Sequence, residues 1–190
     1  AGLMKAKEWK RIECPLPPAD VYALFLASSS RFWHELYEDV KYTNIECTPW
    51  STGDDCRCYT REFQFDAKIT HALVGTKSCH IRSVQNVAAQ PGGTVLFASQ
   101  TYMGPELPYS TSFYAESLVR MAPNSATGGT TVSVCFRIVF VKTVLVRSII
   151  ERSATAGLYP LYEQLLARLK QICESQTPPE EEPAAAAAAT

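Results

Sequence analysis

Residues 94–142, TVLFASQTYMGPELPYSTSFYAESLVRMAPNSATGGTTVSVCFRIVFVK, hold three runs in which apolar side chains alternate. The last run is the clearest. Val132, Val134, Phe136, Ile138 and Phe140 fall on one face, and Thr131, Ser133 and Arg137 share the other. A period of two predicts a strand with one buried side and one wetter side. Upstream, Val95, Phe97, Ser99 and Thr101 alternate with Leu96, Ala98, Gln100 and Tyr102. Thr111, Phe113, Ala115, Ser117 and Val119 alternate with Tyr114, Glu116, Leu118 and Arg120. The segment Pro105-Glu106-Leu107-Pro108-Tyr109 joins these two runs. Their faces mix apolar with small polar residues, and a buried hydroxyl without a partner costs about 1–3 kcal/mol. The mixture suits a sheet that lines a cavity, and pattern alone equally allows an ordinary half-exposed sheet.

After Lys142 the period changes. Val146, Ile149, Ile150, Leu158, Leu161, Leu165, Leu169 and Ile172 recur at helical spacing, with Arg147, Glu151, Arg152, Glu163 and Lys170 between them, which predicts a long amphipathic helix. Gly157 and Pro160 lie inside it. Because proline removes a backbone donor and crowds the preceding turn, a kink or break is expected near residues 156–160. A helix with one long apolar stripe needs a large apolar surface, and the sheet is the obvious one.

The N-terminal third reads as strand, two short helices, then more strands. Glu8 to Cys14 is a first strand, punctuated by Pro15-Leu16-Pro17-Pro18-Ala19-Asp20. A helix starts near Pro18 to Val21 and buries Val21, Tyr22, Leu24 and Phe25. Ser28-Ser29-Ser30 supply a break and a cap before a second helix carrying Phe32, Trp33, Leu36 and Tyr37. Tyr42 to Trp50 and Arg57 to Phe65 read as strands across a Ser51-Thr52-Gly53-Asp54-Asp55 turn. The expected class is α+β: a single domain over residues 1–175, then a flexible tail over 176–190 containing Thr177-Pro178-Pro179-Glu180-Glu181-Glu182-Pro183 and an alanine run. With that tail and no initial methionine, the chain is expected to be a piece of a longer protein.

Composition narrows the function. Eighteen basic residues against 19 acidic ones give a net charge of −1, so nothing draws the chain toward nucleic acid. No apolar run reaches the roughly 18 residues of a membrane span, and no secretion signal precedes the first strand. The seven cysteines include a C-x-C at Cys56 and Cys58, with Cys47 and the Cys79-His80 pair nearby. Structural zinc sites pair ligands across two to four residues, and no matching second pair follows. An odd number of cysteines fits free thiols, reduced and mostly buried. His34, His71 and His80 lie in no nucleophile or metallohydrolase motif, and no phosphate or dinucleotide loop occurs. Surface histidine is the default reading. Glu116, on a middle strand amid aromatic residues, is the best single candidate for a buried acid, against the commoner solvent-facing glutamate.

These segments together resemble the VASt domain, the StAR-related sterol-transfer module of the Aster, Lam and VAD1 proteins, over most of residues 8–173. Trp50 closes the strand after the two helices. Arg61-Glu62-Phe63-Gln64-Phe65 is similar to the family's arginine and aromatic strand, and Gly75-Thr76-Lys77 to its Gly-Pro-Lys turn. Pro105-Glu106-Leu107-Pro108-Tyr109 followed by Phe113 resembles its proline, acidic, aliphatic, proline loop. Arg147, Ile150, Glu151 and Gly157 follow its helix-opening pattern. Thr76 stands where proline is usual, Leu145 where an aromatic residue is common, and Ser148 where glycine is common.

The resemblance implies a helix-grip fold, a curved sheet wrapped around the C-terminal helix, with an apolar cavity holding one sterol beneath a mobile loop. It also implies a longer protein with a membrane-docking GRAM domain and a transmembrane anchor, acting at contacts between the endoplasmic reticulum and another membrane. The expected function is lipid binding and transfer, without catalysis, cofactor or metal, by a monomeric domain that touches membranes transiently. The candidate cavity residues are Phe63, Phe65, Phe97, Tyr102, Tyr114 and Phe136 from the sheet and Ile149, Ile150, Leu158 and Leu161 from the helix. Ser99, Gln100 and Glu116 are candidate partners for a sterol hydroxyl, and Leu107, Pro108 and Tyr109 a candidate entrance loop. Two other classes stay open: an interaction module with a filled core, and an enzyme acting on an apolar substrate through Glu116 or His71.

Overall fold

The computed structural model describes residues 8–27, 30–52, 58–71 and 74–176. Its order is β1 (Glu8–Cys14), α1 (Pro18–Leu26), α2 (Phe32–Asp39), β2 (Thr43–Cys47), β3 (Ser51–Thr52), β4 (Cys58–His71), β5 (Gly75–Ala89), β6 (Val95–Met103), a 3-10 turn at Ser110–Ser112, β7 (Phe113–Pro123), β8 (Thr130–Phe140) and α3 (Arg147–Gln176). The strands form one curved, open antiparallel sheet in the order β1-β8-β7-β6-β5-β4-β2, with β3 paired to β4. The class is α+β, as the sequence pattern predicts.

Register sorts every strand into two faces. Pairing Val119 with Val134, Ser117 with Phe136 and Ser99 with Ser117 puts Phe97, Val119, Val132 and Val134 on the concave side, all fully buried. The concave side of β4 and β5 carries Phe63, Phe65, Ile81, Ser83, Gln85 and Val87. Against it lie α1, α2 and the C-terminal half of α3, whose Tyr162, Leu165, Leu166 and Leu169 are buried. Each fully buried Leu here adds roughly 1.5–3 kcal/mol of hydrophobic stabilisation before ordering entropy.

Several local expectations are corrected. The helix is not broken at residues 156–160: α3 runs through Pro160 as one element. Loss of one backbone hydrogen bond is offset by the long apolar face that the C-terminal half buries. Ser51-Thr52 is not a turn but strand β3, opposite Thr60 and Tyr59, while residues 53–55 lie outside the described residues. Ser28 and Ser29 also lie outside them, and Ser30 Oγ accepts the Phe32 N–H at 3.2 Å.

The largest omission is β5, opened by Gly75 at φ +70°. Its inward positions include Ser83 and Gln85, and its outward ones His80 and Arg82, so polarity does not alternate and the period of two is masked. The expectation of free thiols throughout is corrected as well. Cys14, the last residue of β1, forms a disulfide with Cys173 near the end of α3, with Cα atoms 6.1 Å apart, a spacing suited to such a bond. A separation of 159 residues concealed that adjacency. Among the described residues the free cysteines are Cys47, Cys58, Cys79 and Cys135, and Cys47 is exposed rather than buried. Cys56 lies outside the described residues.

Candidate functional site: an apolar cavity under the helix

Between the concave sheet and the N-terminal half of α3 lies a cavity of about 680 Å³. From the helix it is lined by Ile149 and Ile150, Ser153 and Ala154, Gly157 and Leu158, and Leu161 and Tyr162. That ladder follows from 3.6 residues per turn: one stripe of α3 faces the sheet, apolar except for Arg152 and for Ser153, which donates to the Thr70 carbonyl at 3.3 Å. The sheet supplies Phe65, Ile69, Ile81, Met103 and Phe113 together with the hydroxyls of Ser83, Ser99 and Thr101, while α2 and its following residues supply Trp33, Tyr37 and Tyr42.

The wall's polar groups are few and mutually engaged. Ser83 and Thr101 hydroxyls lie 3.3 Å apart, and Ser99 and Ser117 2.6 Å apart, with Tyr162 donating to Ser117. Gln85, fully buried, donates to Tyr37 Oη at 3.3 Å and accepts from Arg61 Nε at 2.9 Å. Burial pushes the Tyr37 phenol well above its ordinary value, raises that of Tyr162 and takes Tyr42 up to about 12. All three stay protonated near neutrality. Arg61 is sandwiched between Trp50 and Phe63, 4.2 and 4.8 Å from the two rings. Burial pulls its guanidinium below the usual value, and its Nη2 finds no partner among the described residues.

Of the candidate cavity residues, the structure brings Phe65, Ser99, Ile149, Ile150, Leu158 and Leu161 to the cavity wall, and Leu107 from the candidate loop joins them. Phe63, Phe97 and Phe136 face the same side but stand behind that wall. Phe97 stacks on Trp33 at 4.8 Å, Phe63 packs edge-on against Tyr37 at 5.3 Å, and Phe136 stacks on Tyr162 at 5.7 Å.

Gln100, Tyr102, Tyr114 and Glu116 are corrected outright, because they occupy the opposite face of the sheet. There Glu116 pairs with Arg137 at 2.6 Å and accepts from Gln100 at 3.2 Å and Tyr114 at 3.4 Å, and Tyr102 donates to Gln100. The buried acid is a cross-strand ion pair on the outer surface. Pro108 and Tyr109 do not reach the cavity; Tyr109 is exposed with φ +63°. His34 and His80 sit at the surface beside Glu38 and Asp66, and the His71 side chain lies outside the described residues.

The sequence reading missed Trp33, Tyr37, Tyr42, Ile69, Ile81, Ser83, Thr101, Met103, Phe113 and Tyr162 as cavity residues. Thr101, Met103 and Phe113 carried a usable signal, sharing strand parity or register with Ser99. Tyr162 carried one too, four residues beyond Leu158 on the helix. Among the described residues no three His, Cys, Asp or Glu side chains gather as a metal site. Among them, too, no helix is long and apolar enough to cross a membrane.

Comparison with known proteins gives three kinds of match. A curated Arabidopsis thaliana relative, "C2 and GRAM domain-containing protein At1g03370", is 24% identical over 163 residues, which is 82% of this chain but 15% of that protein. Among solved structures, TTHA0849 from Thermus thermophilus aligns with a TM-score of 0.48 at 16% identity, covering 89% of this chain and 97% of its own. A Rhizobium leguminosarum protein aligns with a TM-score of 0.47 at 13% identity, covering 90% and 98%. The family model of the VASt domain, the "VAD1 Analog of StAR-related lipid transfer domain", matches residues 9–157, and the chain belongs to that family.

Proposed function

We propose that this domain binds one sterol in the cavity beneath α3 and carries it between membranes without chemical change, in the manner of a helix-grip lipid carrier. The observation that carries the reading is the cavity itself. At about 680 Å³ it falls inside the roughly 300–1,000 Å³ range of small-molecule sites. Its wall is mostly aliphatic and aromatic, with a short row of hydroxyls and with Lys68 and Arg152 as its charged members. A sterol offers the same proportion of surfaces: a large rigid apolar body and one hydroxyl. Burying about 300 Å² of it at ~25 cal/mol per Å² contributes ~7 kcal/mol before ordering costs. Ser83, Ser99, Thr101 and Tyr37 are the groups to meet the hydroxyl, directly or through water. Leu107 closes part of the wall near the entrance.

A filled-core interaction module is disfavoured by the open volume. An enzyme working through Glu116 is disfavoured by that residue's ion pair with Arg137 on the far side of the sheet. Residues 1–175 would act as one monomeric carrier, with 176–190 a linker. The domain would work in the cytosol, within a longer protein anchored in the endoplasmic reticulum at membrane contact sites.

The test is titration of the purified chain with a fluorescent sterol, with competition by unlabelled sterol and by phospholipid. Saturable one-to-one binding displaced by sterol is expected. A folded, monodisperse protein that takes up no lipid sinks the proposal.

A further inference from the structure

We propose that the cavity selects cargo bearing one anionic group, a sulfate or carboxylate on a sterol body, and holds that group between Lys68 of β4 and Arg152 of α3. The proposal rests on the carrier reading and names the class of cargo within it.

Both charged side chains on the cavity wall are cations. Lys68 and Arg152 line it, and among the described residues no carboxylate does. The two stand on opposite banks of one seam. Ser153, the neighbour of Arg152, donates to the Thr70 carbonyl at 3.3 Å, and Lys68 lies two residues from Thr70 on the same face of its strand. Strand β2 stops short of this stretch, since its pairing with β4 begins with Thr43 opposite Asp66. Past Asp66 the edge of β4 meets α3 instead of another strand, and the cavity opens sideways there.

The fold leaves these two cations without partners. Neither forms an ion pair or a side-chain hydrogen bond with a described residue. Elsewhere Arg82 is matched by Glu62, Arg137 by Glu116, and Arg168 by Glu35 and Asp39. The acids nearest in sequence do not serve the seam. Asp66 is held by Asn44 at 2.7 Å and by His80 at 2.9 Å, and Glu151 is not on the cavity wall. A neutral sterol has one hydroxyl, which the inner row of Ser83, Ser99 and Thr101 can meet, so it has no use for two bases at the opening. A sulfate or carboxylate does, because an ammonium and a guanidinium each donate charge-assisted hydrogen bonds to its oxygens. A cavity of about 680 Å³ suits one ring system behind that group rather than two acyl chains.

Equilibrium dialysis of the whole chain against radiolabelled cholesterol, cholesteryl sulfate and oleate, at roughly 0.05 and 0.5 M NaCl, tests this. At low salt the sulfate is expected to bind about five- to tenfold more tightly than cholesterol, as two solvent-exposed ion pairs allow, and high salt to narrow that ratio. Lys68→Glu combined with Arg152→Glu is expected to invert the ratio. Lys68→Arg combined with Arg152→Lys is expected to keep it. Because each ratio compares two ligands on one preparation, partial unfolding of a variant cancels from it. Equal affinity for cholesterol and its sulfate, or a preference that survives the double charge reversal, overturns the inference while one-to-one cholesterol binding leaves the carrier reading standing. Oleate bound as tightly as the sulfate, with cholesterol unbound, upholds the anionic seat and ends the sterol reading. A folded chain that binds none of the three ends both.

Discussion

The two ends of α3 show how one helix serves opposite requirements. At its C-terminal end Leu165, Leu166 and Leu169 are buried, Cys173 is bonded to β1, Thr130 donates to the Leu16 carbonyl at 2.7 Å, and Arg168 engages both Glu35 and Asp39. Apolar, covalent and ionic contacts all act on the same few turns. At its N-terminal end the same helix spans an open cavity, pinned by Ile150 against Phe113, Ala115 and Ile138, with exposed apolar side chains and cations that have no ionic partner among the described residues. Stability is concentrated where nothing has to move. The end beside the cavity is held by a smaller apolar cluster and the Ser153–Thr70 hydrogen bond, the kind of segment expected to open locally first.

The sharpest way to break this contrast is at the sealed end. Replacing Cys14 and Cys173 by alanine removes the constraint on a very long loop and is expected to lower unfolding free energy by about 2–5 kcal/mol in urea titration. Sterol affinity should stay within about threefold. A large loss of affinity with little loss of stability would mean that the two ends are not separable. At the open end the effect should invert. Leu158→Trp puts a larger ring into the cavity and is expected to weaken sterol binding about tenfold or more, with the melting midpoint held to within a few degrees. Unchanged affinity would place the ligand elsewhere. The smallest effect belongs to Gly157→Ala. A Cβ at Gly157 meets nothing within 4 Å, so the gain in helix propensity should appear as up to about 1 kcal/mol of added stability. A loss instead would show that the helix needs a flexible residue beside Pro160.

Local alternation made the fold largely legible. The apolar parity of Val132 to Phe140, the helical stripe after Val146 and the proline punctuation after Cys14 each encode their own element. Harder to read was anything that depends on partners distant in the chain. Strand β5 hides because its inward Ser83 and Gln85 are polar, satisfied by Thr101, Tyr37 and Arg61 from elsewhere in the sequence. The site was half legible for a single reason: Ser99 and Gln100 look equally suited to a ligand, and only register decides which faces inward. A slip of one residue in that choice moved Gln100, Tyr102, Tyr114 and Glu116 to the wrong side. The disulfide left no local trace at all.

That disulfide also alters what a protease would reveal. With Cys14 joined to Cys173, almost the entire fold is a covalent ring, and one cut anywhere between them opens the ring without releasing a fragment. On a non-reducing gel the cleaved molecule stays in one piece, and only a reductant divides it into two bands. The cavity rim can thus be mapped by limited digestion while the sealed end holds the product together.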